Sequence, residues 1–201
     1  MAAQTTDNPG MLLIISGPSG VGKTTITRAV ERAIPESIFS VSVTTRPKTA
    51  ADREGVDYFF IDDARFDRMV DRGELLEHAN VFGKKYGTPS AWVDHELAQG
   101  KIVILEIDVH GAEQVKAKRP EAFALFIEPP SEAVLLERLR ARQREDEATI
   151  QRRFAEAKRE ISRAKNGGVY DAFLVNNELN QAIGQAVQVV NQARAALRAK
   201  A

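Results

Sequence analysis

The spacing best able to do chemistry in this chain lies in Ser16-Gly17-Pro18-Ser19-Gly20-Val21-Gly22-Lys23-Thr24. Gly17, Gly22, Lys23 and Thr24 satisfy the phosphate-loop pattern G-x-x-x-x-G-K-[ST]. Glycines let the backbone curl until successive N–H groups converge on an anion, and the helix that follows adds the positive end of its dipole there. Lys23 has the reach for β- and γ-phosphates, and the Thr24 hydroxyl is a hard oxygen ligand for Mg²⁺, held partly through water. The flanks agree with the pattern: the apolar run Met11–Ile15 precedes it and a helix-like segment, Thr25–Ala33, follows. Gly17, Pro18, Ser19, Gly20, Val21, Gly22, Lys23 and Thr24 are therefore expected to bind a nucleoside triphosphate.

Composition narrows the class. A chain of 201 residues suits one core domain with insertions. The 28 basic and 28 acidic residues cancel, so no global field recruits nucleic acid or a membrane surface, and phosphate binding must come from local cationic clusters. There is no cysteine, which excludes disulfides, thiolate metal sites and a cysteine nucleophile. Met1–Gly10 is polar without a basic region, and the apolar run behind it is too short for a signal peptide or a membrane span. A cytoplasmic enzyme is the expectation.

The elements that must position the loop follow in order. Leu12–Ser16 reads as a buried parallel strand. The first helix ends near Ile34-Pro35, because proline disfavours helix in the residue before it. Ile38–Val43 alternates as a strand, Thr44–Gly55 is polar and irregular, and Val56–Ile61 reads as another strand. Asp63–Gly73 has helical spacing of Phe66, Met69 and Val70 with a glycine stop. Leu75–Tyr86 is mixed, and Thr88–Gln99 reads as helix. The strand–helix alternation resumes with the strand Lys101–Asp108, the helix Ala112–Lys118 and the strand Ala122–Ile127. Ser131 is placed to cap the next helix, with Glu132 in its first turn, and Glu137–Lys165 is arginine-rich and helical, before a short strand at Asp171–Val175 and a last helix from Glu178. This predicts an α/β fold with a doubly wound parallel-sheet core in residues 11–43, 96–131 and 167–201. A disordered tail at 1–10, an α+β insertion at 44–95 and a helical lid at 132–166 complete it.

A GTPase would carry an N-K-x-D base-reading motif, which this sequence lacks. Two insertions on a small core suit a nucleotide monophosphate kinase, in which one holds the acceptor and a basic lid closes over the donor. The segments Ser40–Arg46, Gly55 with Tyr58-Phe59-Phe60, Leu76-Glu77-His78-Ala79, Tyr86-Gly87-Thr88, Leu105–Asp108 with Gly111-Ala112, and Pro129-Pro130-Ser131 make the chain resemble the guanylate kinases. The likeness runs in order from the phosphate loop to Asn176.

The resemblance implies Mg²⁺-dependent transfer of the ATP γ-phosphoryl group to GMP, giving ADP and GDP, within purine nucleotide metabolism. It assigns Ser42, Glu77, Thr88 and Asp108 to guanine, a carboxylate facing the N1–H and N2–H₂ donors and hydroxyls facing the O6 and N7 acceptors. Arg46, Tyr58 and Tyr86 match the acceptor-phosphate ligands, and Arg138, Arg142 and Arg153 match the lid arginines. Lys23, Arg46, Arg142 and Arg153 are the expected catalytic cations. Arg138 and Arg142, four residues apart, share a helical face and so can reach the same phosphates. His78, His95 and His110 have no metal-like spacing.

One departure stands out. Where the family carries R-x-P-R-x-G-E, this chain reads Arg46-Pro47-Lys48-Thr49-Ala50-Ala51-Asp52, with Thr49 at the second arginine and Asp52 at the glutamate. Lys48 is placed to supply a charge one residue away, as a point rather than a fork. Two other readings stay open from sequence. One is a silent binding module, against which the intact Gly22-Lys23-Thr24 argues; the other is a kinase of another phosphorylated acceptor, against which Ser42 with Glu77 argues.

Overall fold

The computed structural model describes residues 9–81, 83–141 and 146–199. Its centre is β1 (Met11–Ser16), buried along its whole length between β7 (Ile102–Glu106) and β8 (Phe123–Glu128). With β2 (Ser37–Phe39) and β9 (Ala172–Val175) these strands form a parallel sheet in the order β2-β7-β1-β8-β9. The two-residue period of a strand divides its side chains between two cores. Met11, Leu13 and Ile15 face α1 (Lys23–Ala33) and α7 (Leu179–Arg198) through Ile26, Val30, Ala182, Ala186 and Val190. Leu12 and Ile14 face the other way, toward Val93 of α3 (Ser90–Ala98) and Val109, Ala112 and Val115 of α4 (Val109–Lys118).

A second sheet, β4-β3-β6-β5, is built from β3 (Val43–Thr44), β4 (Phe59–Phe60), β5 (Leu75–Val81) and β6 (Lys84–Pro89). Phe66 of α2 (Asp63–Asp71) is buried against it with Val43 and Leu75. The helices α5 (Glu132–Ala141) and α6 (Glu147–Asn166) close a further small core of Leu135, Leu139, Ile150 and Ala157.

Several segments differ from the sequence expectation: Thr88, expected to open a helix, pairs in β6, and Glu137–Lys165 belongs to two helices, α5 and α6. Ile38–Val43 is not one strand: the Ser40 amide makes the last contact with the core sheet, donating to the Ile104 carbonyl at 2.9 Å, and Val43 already pairs in the second sheet. Alternation continues through Ser42, but the hydrogen-bond partners change sheet. In Val56–Ile61 only Phe59–Phe60 is strand, because Asp57 bonds the Arg53 amide with its carboxylate and the Arg53 carbonyl with its own N–H, closing a turn. Leu75–Tyr86 lies in a long hairpin, β5–β6, whose exposed residues His78, Lys84 and Val81 and a register shift after Leu75 blur the period-two signal. Pro9 and Gly10, placed by sequence in a disordered tail, are half-buried, and a Cβ on Gly10 would run into the Leu97 carbonyl; the rest of that tail lies outside the described residues.

Candidate active site

The phosphate loop joins the end of β1 to the start of α1, at the carboxyl edge of the parallel sheet where such folds place ligands. Its glycines are required by space as well as by conformation. Gly22 has φ +93°, and a Cβ there would lie 2.7 Å from the Asn176 amide nitrogen. A Cβ on Gly17 would meet the Ile127 carbonyl at 2.6 Å. The buried Asn176 donates from Nδ2 to the Val21 carbonyl at 2.7 Å, so β9 and α7 hold the loop from behind. Lys23 Nζ spans the loop to the Gly17 carbonyl at 2.9 Å. A cavity of about 220 Å³ opens between Pro18, Ser19, Gly20, Gly22, Lys23, Thr24, Thr25 and Glu106.

Helices α5 and α6 reach the same place. Arg153 of α6 donates to the Ser19 hydroxyl, and Arg138 of α5 donates to the Asn176 carbonyl at 3.0 Å and the Asn177 carbonyl at 3.4 Å. Arg142 falls outside the described residues.

The carboxyl end of β7 joins two halves of the site. Glu106 accepts from the Thr24 hydroxyl at 2.6 Å on the phosphate-loop side. Two residues on, Asp108 caps α4 by accepting from the Gly111 amide at 2.7 Å. Helix α4 then runs under β5, where a Cβ on Gly111 would sit 3.3 Å from Glu77 Oε2.

Glu77 is 6% exposed and makes no ion pair among the described residues; it accepts from the Thr88 hydroxyl at 2.6 Å. Burial dominates its titration and pushes the carboxyl up to about 7, against the Thr88 hydrogen bond, with the Asp108 charge adding to the push. An unpaired carboxylate kept in the interior is costly to folding, and such groups cluster where a ligand will meet them.

Arg46, after β3, forks onto Asp52 at 3.0 and 2.8 Å and stands 5.3 Å from the Tyr58 ring centre. Tyr58 and Tyr86 meet edge to face with centroids 5.8 Å apart. A guanidinium beside two phenols is the chemistry of an anion clamp.

A family model described as guanylate kinase matches residues 10–193. The chain belongs to the guanylate kinase family. It is 44% identical to a guanylate kinase of Coxiella burnetii, over 93% of this chain and 89% of that one. It is 44% identical to a guanylate kinase of Thermobifida fusca, over 92% of each. A crystal structure of guanylate kinase from Anaplasma phagocytophilum superposes with a TM-score of 0.68 at 29% identity, covering 93% of this chain and 87% of that one.

As a guanylate kinase the chain brings its candidate residues into groups. Gly17–Thr24, Arg138 and Arg153 gather at the phosphate loop. Glu77, Thr88 and Asp108 form a second group, and Arg46, Tyr58 and Tyr86 gather beside the second sheet, Tyr86 in β6 and the other two next to β3 and β4. Ser42 sits between them at the crossing of the sheets, its carbonyl held by the Phe59 amide at 2.9 Å.

Sequence reasoning gave no role to Glu106, Asn176 or Glu160. Glu106 was accessible from its place at the end of an apolar strand. Asn176 had no signal, since its contact crosses most of the chain. Glu160 of α6 is half-buried and lines a cleft with Asp108; burial pushes its carboxyl up to about 7, with the Lys23 charge opposing and the Asp108 and Glu156 charges adding. A cleft of about 190 Å³ lined by Asp108, His110, Glu156 and Glu160 separates this part of the lid from α4.

Proposed function

We propose that this chain transfers the γ-phosphoryl group of ATP to GMP, with the phosphate loop and lid arginines holding the donor and residues 44–95 holding the acceptor. The observation that carries the acceptor reading is the buried Glu77 carboxylate, which lies beside Thr88 and has no ion pair among the described residues. A carboxylate there accepts from guanine N1–H and N2–H₂ together, whereas adenine would set the N1 lone pair against it. Because the Thr88 hydroxyl already donates to Glu77, its free lone pairs serve guanine as acceptors, for N2–H₂ rather than O6. Ser42 and Asp108 complete the base pocket, and Arg46, Tyr58 and Tyr86 take the acceptor phosphate. The Lys48 ammonium, 5.9 Å from the Phe60 ring over which Arg46 also stands, brings a second charge to that edge.

The acceptor phosphate is itself the nucleophile, so no covalent intermediate is needed. Catalysis is alignment plus neutralisation of the equatorial oxygens by Lys23, Arg46, Arg142 and Arg153. The residues present fit a magnesium ion: Thr24 Oγ1 and Glu106 Oε1 are paired hard oxygens, and Glu106 Oε2 is buried with no partner among the described residues. They would hold it together with nucleotide phosphates and water, and the ion would screen charge between the β- and γ-phosphates. Among the described residues no helix is long and apolar enough to cross a membrane.

A coupled ADP-release assay with GMP, AMP, CMP and UMP tests the reading. ADP release with GMP alone supports it. Equal turnover of AMP would remove Glu77 from base recognition.

A further inference from the structure

The Thr49–Asp52 turn carries a role that the phosphate-clamp reading leaves unassigned. The Asp52 carboxylate receives four hydrogen bonds: from Arg46 Nη1 at 3.0 Å and Nη2 at 2.8 Å, and from the Thr49 amide and the Thr49 hydroxyl, each at 2.7 Å. Those donors hold its pKa well below the usual carboxylate range, the Arg46 fork contributing most. Arg46 Nη1 spends its second hydrogen on the Pro47 carbonyl at 3.1 Å.

A guanidinium has five N–H groups, and these contacts consume the end-on edge. The side-on edge, Nε–H and the second Nη2 hydrogen, has no partner among the described residues. It is the edge left for a bidentate grip on phosphate.

We infer that Asp52, locked by Thr49, is a positioning residue that turns the side-on edge of Arg46 toward the acceptor phosphate. This rests on the reading of the chain as a GMP phosphotransferase. Thr49 thereby takes over part of the work of the family's second arginine. It adds no cation, but it fixes the carboxylate that fixes the cation the chain does have. A free arginine loses much rotamer freedom when it grips a phosphate; here folding has already fixed it. The Asp52 charge opposes the phosphate, but it lies across the guanidinium, beside solvent and saturated with donors, so orientation outweighs repulsion.

The test is steady-state kinetics together with calorimetric titration of GMP and of guanosine, which lacks the phosphate. Asp52→Ala is expected to raise KM for GMP about tenfold, leave KM for ATP within about twofold, and weaken GMP but not guanosine binding. Thr49→Val is expected to raise KM for GMP about threefold, and Thr49→Ser to restore it. Tighter GMP binding by Asp52→Ala would make Asp52 a plug and overturn the inference. Equal weakening of GMP and guanosine would make its role merely structural and overturn it too. An inactive wild-type chain with GMP would instead defeat the functional reading on which this rests.

Discussion

The proposed donor and acceptor halves of this site are made of different materials. The phosphate loop is backbone: its ligands are N–H groups, its shape comes from Gly17 and Gly22 pressed against Ile127 and Asn176, and one contiguous stretch contains nearly all of it. The acceptor side is made of side chains from β5 and β6, from the segments flanking β3 and β4, and from the cap of α4. A backbone site permits little change, since a single Cβ blocks it. A side-chain site can be edited residue by residue, and the Thr49–Asp52 turn is such an edit, with the Arg46 fork retained and its support rebuilt.

The sharpest break of the comparison is at Lys23. Lys23→Ala is expected to lower kcat by about 10³-fold or more while the thermal midpoint stays near wild type, because the ammonium meets phosphates rather than the core. Turnover near wild type in a folded variant would show that the loop does not hold the donor.

On the acceptor side, Glu77→Gln is expected to cost about 2–4 kcal/mol in kcat/KM for GMP, roughly 30- to 1000-fold, with ATP binding little changed. The amide keeps one acceptor and turns its NH₂ toward a guanine donor. AMP use should be hurt little or improve, and an unchanged GMP/AMP ratio would refute base recognition by Glu77.

The same residue gives the acceptor side a pH dependence. The folded carboxyl titrates at about 7 against 4.5 as its ordinary value, so the fold favours the protonated form. Its contribution to stability is complete below pH 4.5 and lost as pH rises through about 7, a decline of about 3 kcal/mol. Glu160 titrates over the same window, so the contrast to measure is wild type against Glu77→Gln in urea unfolding across that range. Guanine donors require the ionised form, so KM for GMP should rise as pH falls below about 7 in wild type and stay flat in the variant. Parallel slopes in both proteins would place the titration elsewhere.

The smallest expected effect returns to the donor side. Asn176→Ala unpairs the Val21 carbonyl, which costs about 1–3 kcal/mol, but it also removes the buried Asn176 Oδ1 that has no partner among the described residues. The low end, about 1 kcal/mol, is therefore expected in the urea midpoint, with KM for ATP raised more than KM for GMP. The reverse order of KM changes would detach Asn176 from the loop.

By itself the sequence determined whatever depends on neighbours along the chain. The phosphate loop was legible because its ligands are consecutive backbone groups, and the core strands because a strand buried on both faces is apolar throughout. The helices were legible from their spacing and, at Ser131, from a cap, whereas the Asp108 cap of α4 was not, since that residue read as the end of a strand. Tertiary structure alone decided where partners come from afar. Ile38–Val43 shows one unbroken alternation, yet it changes sheets at Ser40, because hydrogen-bond partners leave no mark on the sequence. The hairpin β5–β6 hid behind exposed polar residues, and with it the burial that sets the Glu77 carboxyl at about 7. Thr49 read as a loss in the linear pattern. Only the fold, by bringing Asp52 back onto Arg46, turned that loss into a support, since a carboxylate's role is set by the donors that reach it in space.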